Sequence, residues 1–574
     1  MNKQELATKI WATANELRKN IKASEYKDYI LGFMFYKYLC DKEIDYLKDL
    51  GGEIDDLQDV DEDTKDKFKD GIGYFISYKN LFHVWKKAGV SLGAKDVSEA
   101  LDDFYLNLND RYKTVFDKVF SALQTGLTKL GEISGSRDKA VRDIVDLIDF
   151  IPPTSRDYDV LGYIYEYLIQ QFSSEAKKDG SFYTPHQVTS MMSRILAERL
   201  KGRSEITVYD PTVGSAGLLL NIGTEVGRYI PSDRIHYFGQ ELITETANLA
   251  KMNLFMQGVP VQNINMRNAN TLDDDWPYFD EQTSYTPYFV DAVVSNPPYS
   301  AHYNPEEHQT DERYKGYGLA PAGKADYAFL LHCLYHIKKD GVMAIVLPHG
   351  VLFRGDSEGE IRKNLILNHN IETIISLPQQ LFFATPIPVI VMILSKNRQK
   401  DDILFIDASQ SYKKDKKQNV LRESDVQRIF DTVVARKDVP NYAHLATMEE
   451  IERNGYNLNV PRYVSATTQE APYDLFSVMT GKVSDEELKA FDKIWNQFPA
   501  LREKLLNKAD EYNSFAAVDV RDTVFADADV NAFLSDFKGV SEEFRKYLIG
   551  TLVNHDAVPS VYNDIVNKLF VDYR

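Results

Sequence analysis

The sequence predicts an α/β protein, a doubly wound and mostly parallel sheet with helical N-terminal and C-terminal regions. Three observations predict it. From about residue 205, short β-rich runs alternate with helix-like stretches, which is what βαβ units produce. Residues 1–170 carry apolar residues at helical spacing instead. After YNLNVPRY (456–463) the strand signal fades, and residues 466–574 read as mostly helical. These changes divide the chain into regions 1–170, 171–465 and 466–574.

In the first region, LATKIWATANELRK (6–19) places Leu6, Ile10, Trp11, Ala14 and Leu17 on one helical face. YKDYILGFMFYKYLCDK (26–42) continues as a strongly apolar helix, and the acidic DLGGEIDDLQDVDEDTKD (49–66) reads as a solvated loop. In the second region, ITVYDP (206–211), IHYFGQE (235–241), FVDAVVSNPP (289–298), GVMAIVLP (341–348) and IETIISLP (371–378) read as strands. TETANLAKMNLFMQ (244–257) and ADYAFLLHCLYHIKK (325–339) read as helices between them. VIVMILSK (389–396) and ILFIDAS (403–409) are joined by the polar NRQKDD (397–402), which predicts a hairpin and an antiparallel strand at the sheet edge. In the third region, SDEELKAFDKIWNQFPALREKLL (484–506) reads as helical.

Bulk properties narrow the function classes. With 574 residues, 44% hydrophobic and 27% charged, the chain has the make-up of a globular protein of two to four domains. MNKQELATKI contains no apolar signal segment, and VIVMIL (389–394) is too short to span a membrane, so a cytoplasmic protein without a membrane partner is expected. Two cysteines, Cys40 and Cys333, exclude a disulfide framework and a cysteine-based zinc site. His302, His308, His332 and His336 form no metal set by spacing. The last two are i, i+4 without an H-E-x-x-H pattern and read as residues of a packed helix. The formal net charge is −19. Proteins that grip DNA unaided usually carry a basic excess, so either nucleic acid is not the substrate or another subunit supplies much of the grip. The basic KKDKK (413–417) reads as a solvated loop.

Two loops carry chemistry. The first strand runs into Asp210, Pro211, Thr212, Val213, Gly214, Ser215, Ala216 and Gly217. Glycines between a strand and a helix let backbone approach a ligand closely. The pattern is neither G-x-G-x-x-G nor a P-loop. The second strand ends in Glu241, a carboxylate placed to accept both hydroxyls of a ribose. The sharper signal is VSNPPYS (294–300). Two prolines cannot continue a ladder, so Asn296, Pro297, Pro298 and Tyr299 make a stiff loop at a strand's carboxyl end. The Asn296 side-chain oxygen and the Pro297 carbonyl are acceptors. Aimed at the N–H groups of an exocyclic purine amine, they favour a pyramidal, nucleophilic nitrogen, and the prolines preorganise them. Tyr299 offers a stacking face, and a duplex base has to be flipped out to reach such a pocket.

Asn-Pro-Pro-Tyr resembles the catalytic motif of amino-group methyltransferases that use S-adenosyl-L-methionine. DPTVGSAG (210–217) resembles their cofactor loop, and GSFYTPHQV (180–188) resembles the segment that closes over the methionine end in adenine N6 enzymes. The order, closing segment then cofactor loop then catalytic loop, matches the gamma arrangement. More closely, IWATANELRKNIKASEYKDYILGFMFYKYL (10–39), GYGLAPAGKADYAFLLHCLYHIKKDGVMAIVLPHGVLFRG (316–355) and GYNLNVPRY (455–463) resemble the modification subunit of type I restriction–modification systems.

That resemblance implies a fold of the S-adenosylmethionine-dependent methyltransferase type. It implies that Ser181, Phe182, Tyr183, Thr184 and Pro185 contact the cofactor, that Asp210, Gly214, Ser215, Ala216 and Gly217 hold its methionine part, and that Glu241 takes its ribose. Asn270, in RNANTLDDD (267–275), falls where many relatives have an Asp on the cofactor adenine. Ala216 falls where relatives often have glycine. Asn296 to Tyr299 bind and activate the target adenine, with no metal and no covalent intermediate. A separate specificity subunit reads DNA, flanked by two modification subunits, and a restriction subunit joins the full complex. The acidic charge fits that division of labour. Region 1–170 is expected to supply partner and DNA contacts, and 466–574 to dock subunits.

Cytosine C5 methylation needs a cysteine nucleophile, and neither cysteine lies in a rigid proline-containing loop. Cytosine N4 enzymes usually begin the loop with Ser, where this chain has Asn296. A protein glutamine N5-methyltransferase also uses Asn-Pro-Pro-Tyr but is much shorter. A non-catalytic cofactor- or DNA-binding subunit is the reading from another class.

Overall fold

The structure is a computed structural model. It describes residues 3–17, 23–88, 91–127, 134–151, 158–175, 184–278, 286–299, 301–382, 387–415, 418–464, 474–509, 512–516 and 519–553. The chain forms two compact units, residues 1–466 and 467–574.

The first unit is built on a mixed sheet. Its strands are β1 (Ile206–Asp210), β2 (Ile235–Glu241), β3 (Ile264–Asn268), β4 (Val290–Ser295), β5 (Ile337–Pro348), β6 (Ile371–Ser376), β7 (Val389–Ser395) and β8 (Ile403–Asp407). A small antiparallel pair, β9 (Lys413–Asp415) and β10 (Gln418–Val420), follows, and then β11 (Ala443–Ala446) returns to the sheet. Among the described residues the sheet has nine strands in the order β11-β8-β6-β7-β5-β4-β1-β2-β3. Pairs β1–β2, β2–β3, β1–β4, β4–β5 and β6–β8 are parallel. Strand β1 has β2 on one side and β4 on the other, so the direction of winding reverses there. A crevice opens at such a switch point, outside the carboxyl ends of the strands.

Strands β1, β4, β6 and β7 are buried at every residue, as in a sheet covered on both faces. Val208, Ala292, Val294 and Val391 point into one core with the N-terminal helices. Tyr209, Val293, Ile345 and Met392 point into the other, with the helix Asp326–His336. The helices Lys3–Leu17 and Ala23–Asp49 carry the N-terminal apolar faces as the sequence predicts. Phe255, at the end of the helix Thr244–Met256, fastens that region to the sheet. Its ring meets Phe116 edge-on at 5.0 Å and Tyr38 at 5.9 Å. Asn248 on the same helix donates to the Lys118 carbonyl at 2.9 Å. A further helix, Tyr158–Glu175, runs across residue 170.

Several expectations are corrected. Strands β7 and β8 do not form a hairpin: β6 lies between them, antiparallel to β7 and parallel to β8. The antiparallel strand β7 is interior, pairing with β5 on its other side. Every residue of VIVMILS is buried, and a strand apolar on both faces cannot stand at an edge. The two edges are β3 and β11, short segments whose mixed composition hides the strand signal. The acidic stretch 49–66 is not all loop. It holds a 3₁₀ turn, Ile54–Asp59, and the start of the helix Glu62–Ile72, where Asp61 accepts from Thr64 N at 2.9 Å as an N-cap.

The second unit adds strands to its helices. Val483–Ser484, Tyr512–Phe515 and Leu506–Ala509 form a small antiparallel sheet. The single helix expected over 484–506 is three short ones, Asp485–Lys489, Asp492–Gln497 and Pro499–Leu505. Pro499 lacks an N–H and therefore begins a helix rather than continuing one.

Candidate active site

Three loops meet at the carboxyl ends of β1, β2 and β4. After β1, Thr212 N donates to Asp210 Oδ1 at 2.9 Å and Val213 N to the Gln240 carbonyl at 3.0 Å. The turn needs two left-handed residues, Gly214 at φ 54° and Ala216 at φ 67°. Glycine takes this conformation freely, while alanine there costs on the order of 1–2 kcal/mol. The chain thus holds a strained residue at a position that glycine would fill without that cost. The helix Gly217–Val226 starts immediately after. Asp210 is fully buried and its Oδ2 has no hydrogen-bond partner. Burial pushes its carboxyl up to about 8, against the Thr212 N–H that holds it down.

At the end of β2, Glu241 ties two loops together. Its Oε2 accepts from Gly214 N at 3.1 Å and its Oε1 from Ile243 N at 3.0 Å. Burial raises its pKa, and these backbone N–H groups oppose the shift. Each oxygen keeps a lone pair for a further donor. Next come Leu242 and Ile243, 64% and 51% exposed. Asn270 sits opposite. Its side chain is engaged within its own turn, Nδ2 donating to Asp273 Oδ2 at 2.6 Å and Oδ1 accepting from Leu272 N at 3.2 Å.

Strand β4 delivers Ser295 and then Asn296 to Tyr299. Ser295 Oγ shares a hydrogen bond of 2.9 Å with Thr212 Oγ1, locking the first loop to the third. Asn296 Nδ2 donates to Thr184 Oγ1 at 3.0 Å, and Tyr299 Oη donates to Asn296 Oδ1 at 2.9 Å. Asn296 and Pro297 are buried, and Pro298 and Tyr299 are partly so. Pro185 caps the helix His186–Leu200. Ser181, Phe182 and Tyr183 lie outside the described residues.

A cavity of ≈ 270 Å³ joins these loops. Gly214, Ser215, Glu241, Leu242, Ile243, Asn270, Asn296 and Pro298 line it. A narrower space of ≈ 40 Å³ continues from it, sharing Thr212, Gly214, Ser215 and Asn296 and adding Thr184, Asp210 and Gly217. Ala216 and Pro185 are buried behind the wall and act through the backbone. Sequence reasoning missed Lys27, Glu166, Ile169 and His186, which also line the two spaces. It missed Leu242 and Ile243 as well, although an apolar pair just past an acidic strand end was a readable signal. Lys27 and Glu166 carried none, being far away along the chain.

A buried polar network braces the wall beside Asn270. Arg313, 3% exposed, donates from Nη1 to the Thr271 carbonyl and from Nη2 to the Leu272 carbonyl, each at 2.8 Å. Thr271 Oγ1 in turn donates to the Pro211 carbonyl of the first loop. Burial by itself would lower the Arg313 pKa, but the Asp311 hydrogen bond and the charges of Tyr314, Asp275 and Asp311 raise it. Arg313 also donates to His332 Nδ1 at 3.1 Å, so His332 Nε2 carries the hydrogen shared with Tyr209 Oη at 2.9 Å. Burial, with the charges of His336 and Arg313, lowers the His332 pKa. Asp275 completes a triad with His332 and His336 whose ligating atoms lie within 4.8 Å of one another. The sequence spacing did not reveal it. The Arg313 guanidinium lies 3.7 Å from the Asp275 carboxylate, so a fixed cation already faces two of the three donors.

Known proteins resemble the chain over this whole region. The N-6 DNA Methylase family model matches residues 156–471, and the HsdM N-terminal domain model matches residues 6–148. The methylase subunit of the type I restriction enzyme MpnII of Mycoplasma pneumoniae is 31% identical, over 81% of this chain and 90% of that one. The MjaVIII methylase subunit of Methanocaldococcus jannaschii is 30% identical, over 82% and 80% respectively. The crystal structure of a type I restriction–modification methyltransferase subunit from Streptococcus thermophilus superimposes with a TM-score of 0.73 at 38% identity, covering 81% of this chain and all of that one. With more than half of its length matched by one family and its fold shared with a methyltransferase subunit at 38% identity, the chain belongs to the N-6 DNA methylases, as a methyltransferase subunit of the type I restriction–modification kind.

Proposed function

We propose that this subunit transfers a methyl group from S-adenosyl-L-methionine to the N6 amine of a flipped-out adenine in DNA. One observation carries the reading: two adjoining spaces are lined by the Glu241 carboxylate and by the buried Asp210, and Asn296 lines both. The donor set fits the cofactor. Glu241 has lone pairs for two ribose hydroxyls, Leu242 and Ile243 offer apolar faces to an adenine ring, and Asp210 Oδ2 awaits a donor. When bound, the cofactor supplies a sulfonium-activated methyl. Asn270 borders the adenine end, and Gly214, Ser215 and Gly217 bring backbone to the methionine end, with Ala216 setting the turn between them. Thr184 belongs to the closing segment with Pro185 and the neighbouring Ser181, Phe182 and Tyr183.

The chain's own residues do the rest by position. The hydrogen bond from Asn296 Nδ2 to Thr184 Oγ1 supports an amide held with Oδ1 free to turn to the target amine. The amine takes the place of the Tyr299 hydroxyl on Oδ1, and the Pro297 carbonyl accepts its second N–H. The nitrogen lone pair is thereby released from the ring and aimed at the methyl. Pro298 holds the backbone, and the Tyr299 ring stacks on the base.

Sequence recognition comes from a specificity subunit with two copies of this chain, and a restriction subunit joins the full complex. The net charge of −19 supports a chain that does not hold DNA alone. Residues 1–170 serve partner and DNA contacts, and 466–574 serve subunit docking. No described helix is long and apolar enough to cross a membrane, and we place the complex in the cytoplasm. The test is transfer of labelled methyl to unmethylated genomic DNA, with nucleosides separated by mass spectrometry, by the chain alone and with its specificity subunit. N6-methyladenine only in the mixture is expected. Labelled protein glutamine with unlabelled DNA would overturn the reading.

A further inference from the structure

The helical region in front of the sheet supplies part of the cleft. Lys27, Glu166 and Ile169 all line it, the last two one turn apart on the helix Tyr158–Glu175. The narrow end has two carboxylates, Asp210 and Glu166, together with His186 and Asn221. It also has two positive poles. The helices His186–Leu200 and Gly217–Val226 both begin there, and first-turn N–H groups have no partner within their own helix. The independent sign of a ligand is Asp210. It is 0% exposed, its Oδ1 accepts from Thr212 N, and its Oδ2 is unpartnered. A buried carboxylate oxygen left this way is costly, so the position suits a donor that arrives with the ligand.

The charge pattern restricts that ligand. A simple cation would answer the two carboxylates but leave the helix starts and His186 unmatched. A simple anion would face both carboxylates. A carbon bearing an ammonium and a carboxylate side by side answers both poles. We propose that Glu166 and Asp210 together take the α-ammonium of the methionine part of the cofactor, with its α-carboxylate at the start of the helix His186–Leu200. This rests on the cofactor reading above and adds to it a residue of the helical region. Burial raises the Glu166 pKa, with the charge of His186 opposing the shift, as suits a carboxylate that gains its counter-charge on binding. The N-terminal region is then one wall of the cofactor site, and cofactor binding and the docking of that region stabilise each other.

The experiment is calorimetric titration of the full chain with two probes. S-adenosylhomocysteine carries the amino-acid part, and 5′-methylthioadenosine keeps the nucleoside and thioether without it. Glu166→Gln should weaken S-adenosylhomocysteine roughly 10- to 100-fold, the range of a hydrogen bond to a charged group, and leave 5′-methylthioadenosine within about twofold. Equal losses for both probes, or no loss for either, would overturn the assignment of Glu166. If the unaltered chain binds neither probe, the cofactor reading itself fails. Should Glu166→Gln not fold, Glu166→Asp, which keeps the charge but shortens the reach, is expected to show the same selective loss.

Discussion

The Tyr299 hydroxyl donates to Asn296 Oδ1 at 2.9 Å, so the oxygen proposed to accept from the target amine is already engaged by the residue whose ring is proposed to stack on the base. Burial and the Asp326 charge raise the Tyr299 pKa, which keeps the hydroxyl a donor at any working pH. Base entry must exchange one hydrogen bond for another. Tyr299→Phe is therefore expected to retain methyl transfer within about threefold, since ring and acceptor both remain. Tyr299→Ala should lose on the order of 10- to 100-fold in kcat/KM for DNA, in line with about 1–3 kcal/mol of base stacking. Methyl transfer by the assembled complex measures both.

Asn296 Nδ2 ties β4's loop to Thr184 Oγ1 at 3.0 Å. Asn296→Ala removes a preorganised acceptor and should lower kcat by about 10²–10³, the usual effect of deleting one such group. The dissociation constant for S-adenosylhomocysteine should move by less than tenfold. Single-turnover transfer and calorimetry separate the two. A loss confined to cofactor binding would contradict the role given to Asn296.

Asp210 links pH to both stability and binding. Its carboxyl is raised from 3.8 to about 8 by burial, so folding favours the protonated form. The stability this provides is complete below pH 3.8 and is lost as pH rises towards 8. At pH 7 the loss is on the order of 4 kcal/mol, from about three pKa units at 1.36 kcal/mol each. Asp210→Asn is expected to raise the thermal midpoint of the ligand-free protein at pH 7–8 while weakening the cofactor. In the unaltered protein, affinity for S-adenosylhomocysteine should increase from pH 6 to pH 8, with proton release visible as a buffer-dependent binding enthalpy.

Arg313 is buried among carbonyls, His332 and carboxylates, so replacing it leaves Asp311 and Asp275 short of a counter-charge. Arg313→Met should cost about 3–5 kcal/mol, as breaking buried ion pairs usually does, read as a fall in the denaturation midpoint. Because the guanidinium faces Asp275 and His332, adding zinc or EDTA to the unaltered protein should leave that midpoint unchanged. A metal-dependent shift would show that the triad binds an ion.

Phe255 tests the union of the N-terminal helices with the sheet. Phe255→Ala removes a ring packed against Phe116, Tyr38 and Phe35 and should destabilise the first unit by about 3–5 kcal/mol. Limited proteolysis should then cut between 1–170 and the sheet faster than in the unaltered chain.

Local chemistry explains what was legible without coordinates. Two successive prolines, Pro297 and Pro298, end a strand whatever surrounds them. Gly214 marks a left-handed turn, and Ile206 to Asp210 read as a strand because Ile206, Thr207, Val208 and Tyr209 are β-branched or aromatic. The alternation of strands and helices determined the parallel core of the sheet and the end of it that carries the loops. Tertiary structure alone decided the rest. β7 sits between β5 and β6 because long-range pairing, not the nearness of β8 in sequence, buries VIVMILS. The edge strands β3 and β11 exist only by pairing, since segments this short cannot hold a strand unaided. Asn296 meets Thr184 across 112 residues of chain, and Glu166 and Lys27 enter the cleft from helices whose own pattern says only that one face is apolar. Periodicity reports the burial of a face, a property of neighbours a few residues apart. Which polar atoms meet inside a cleft depends on contacts between distant segments, and only the folded chain brings those together.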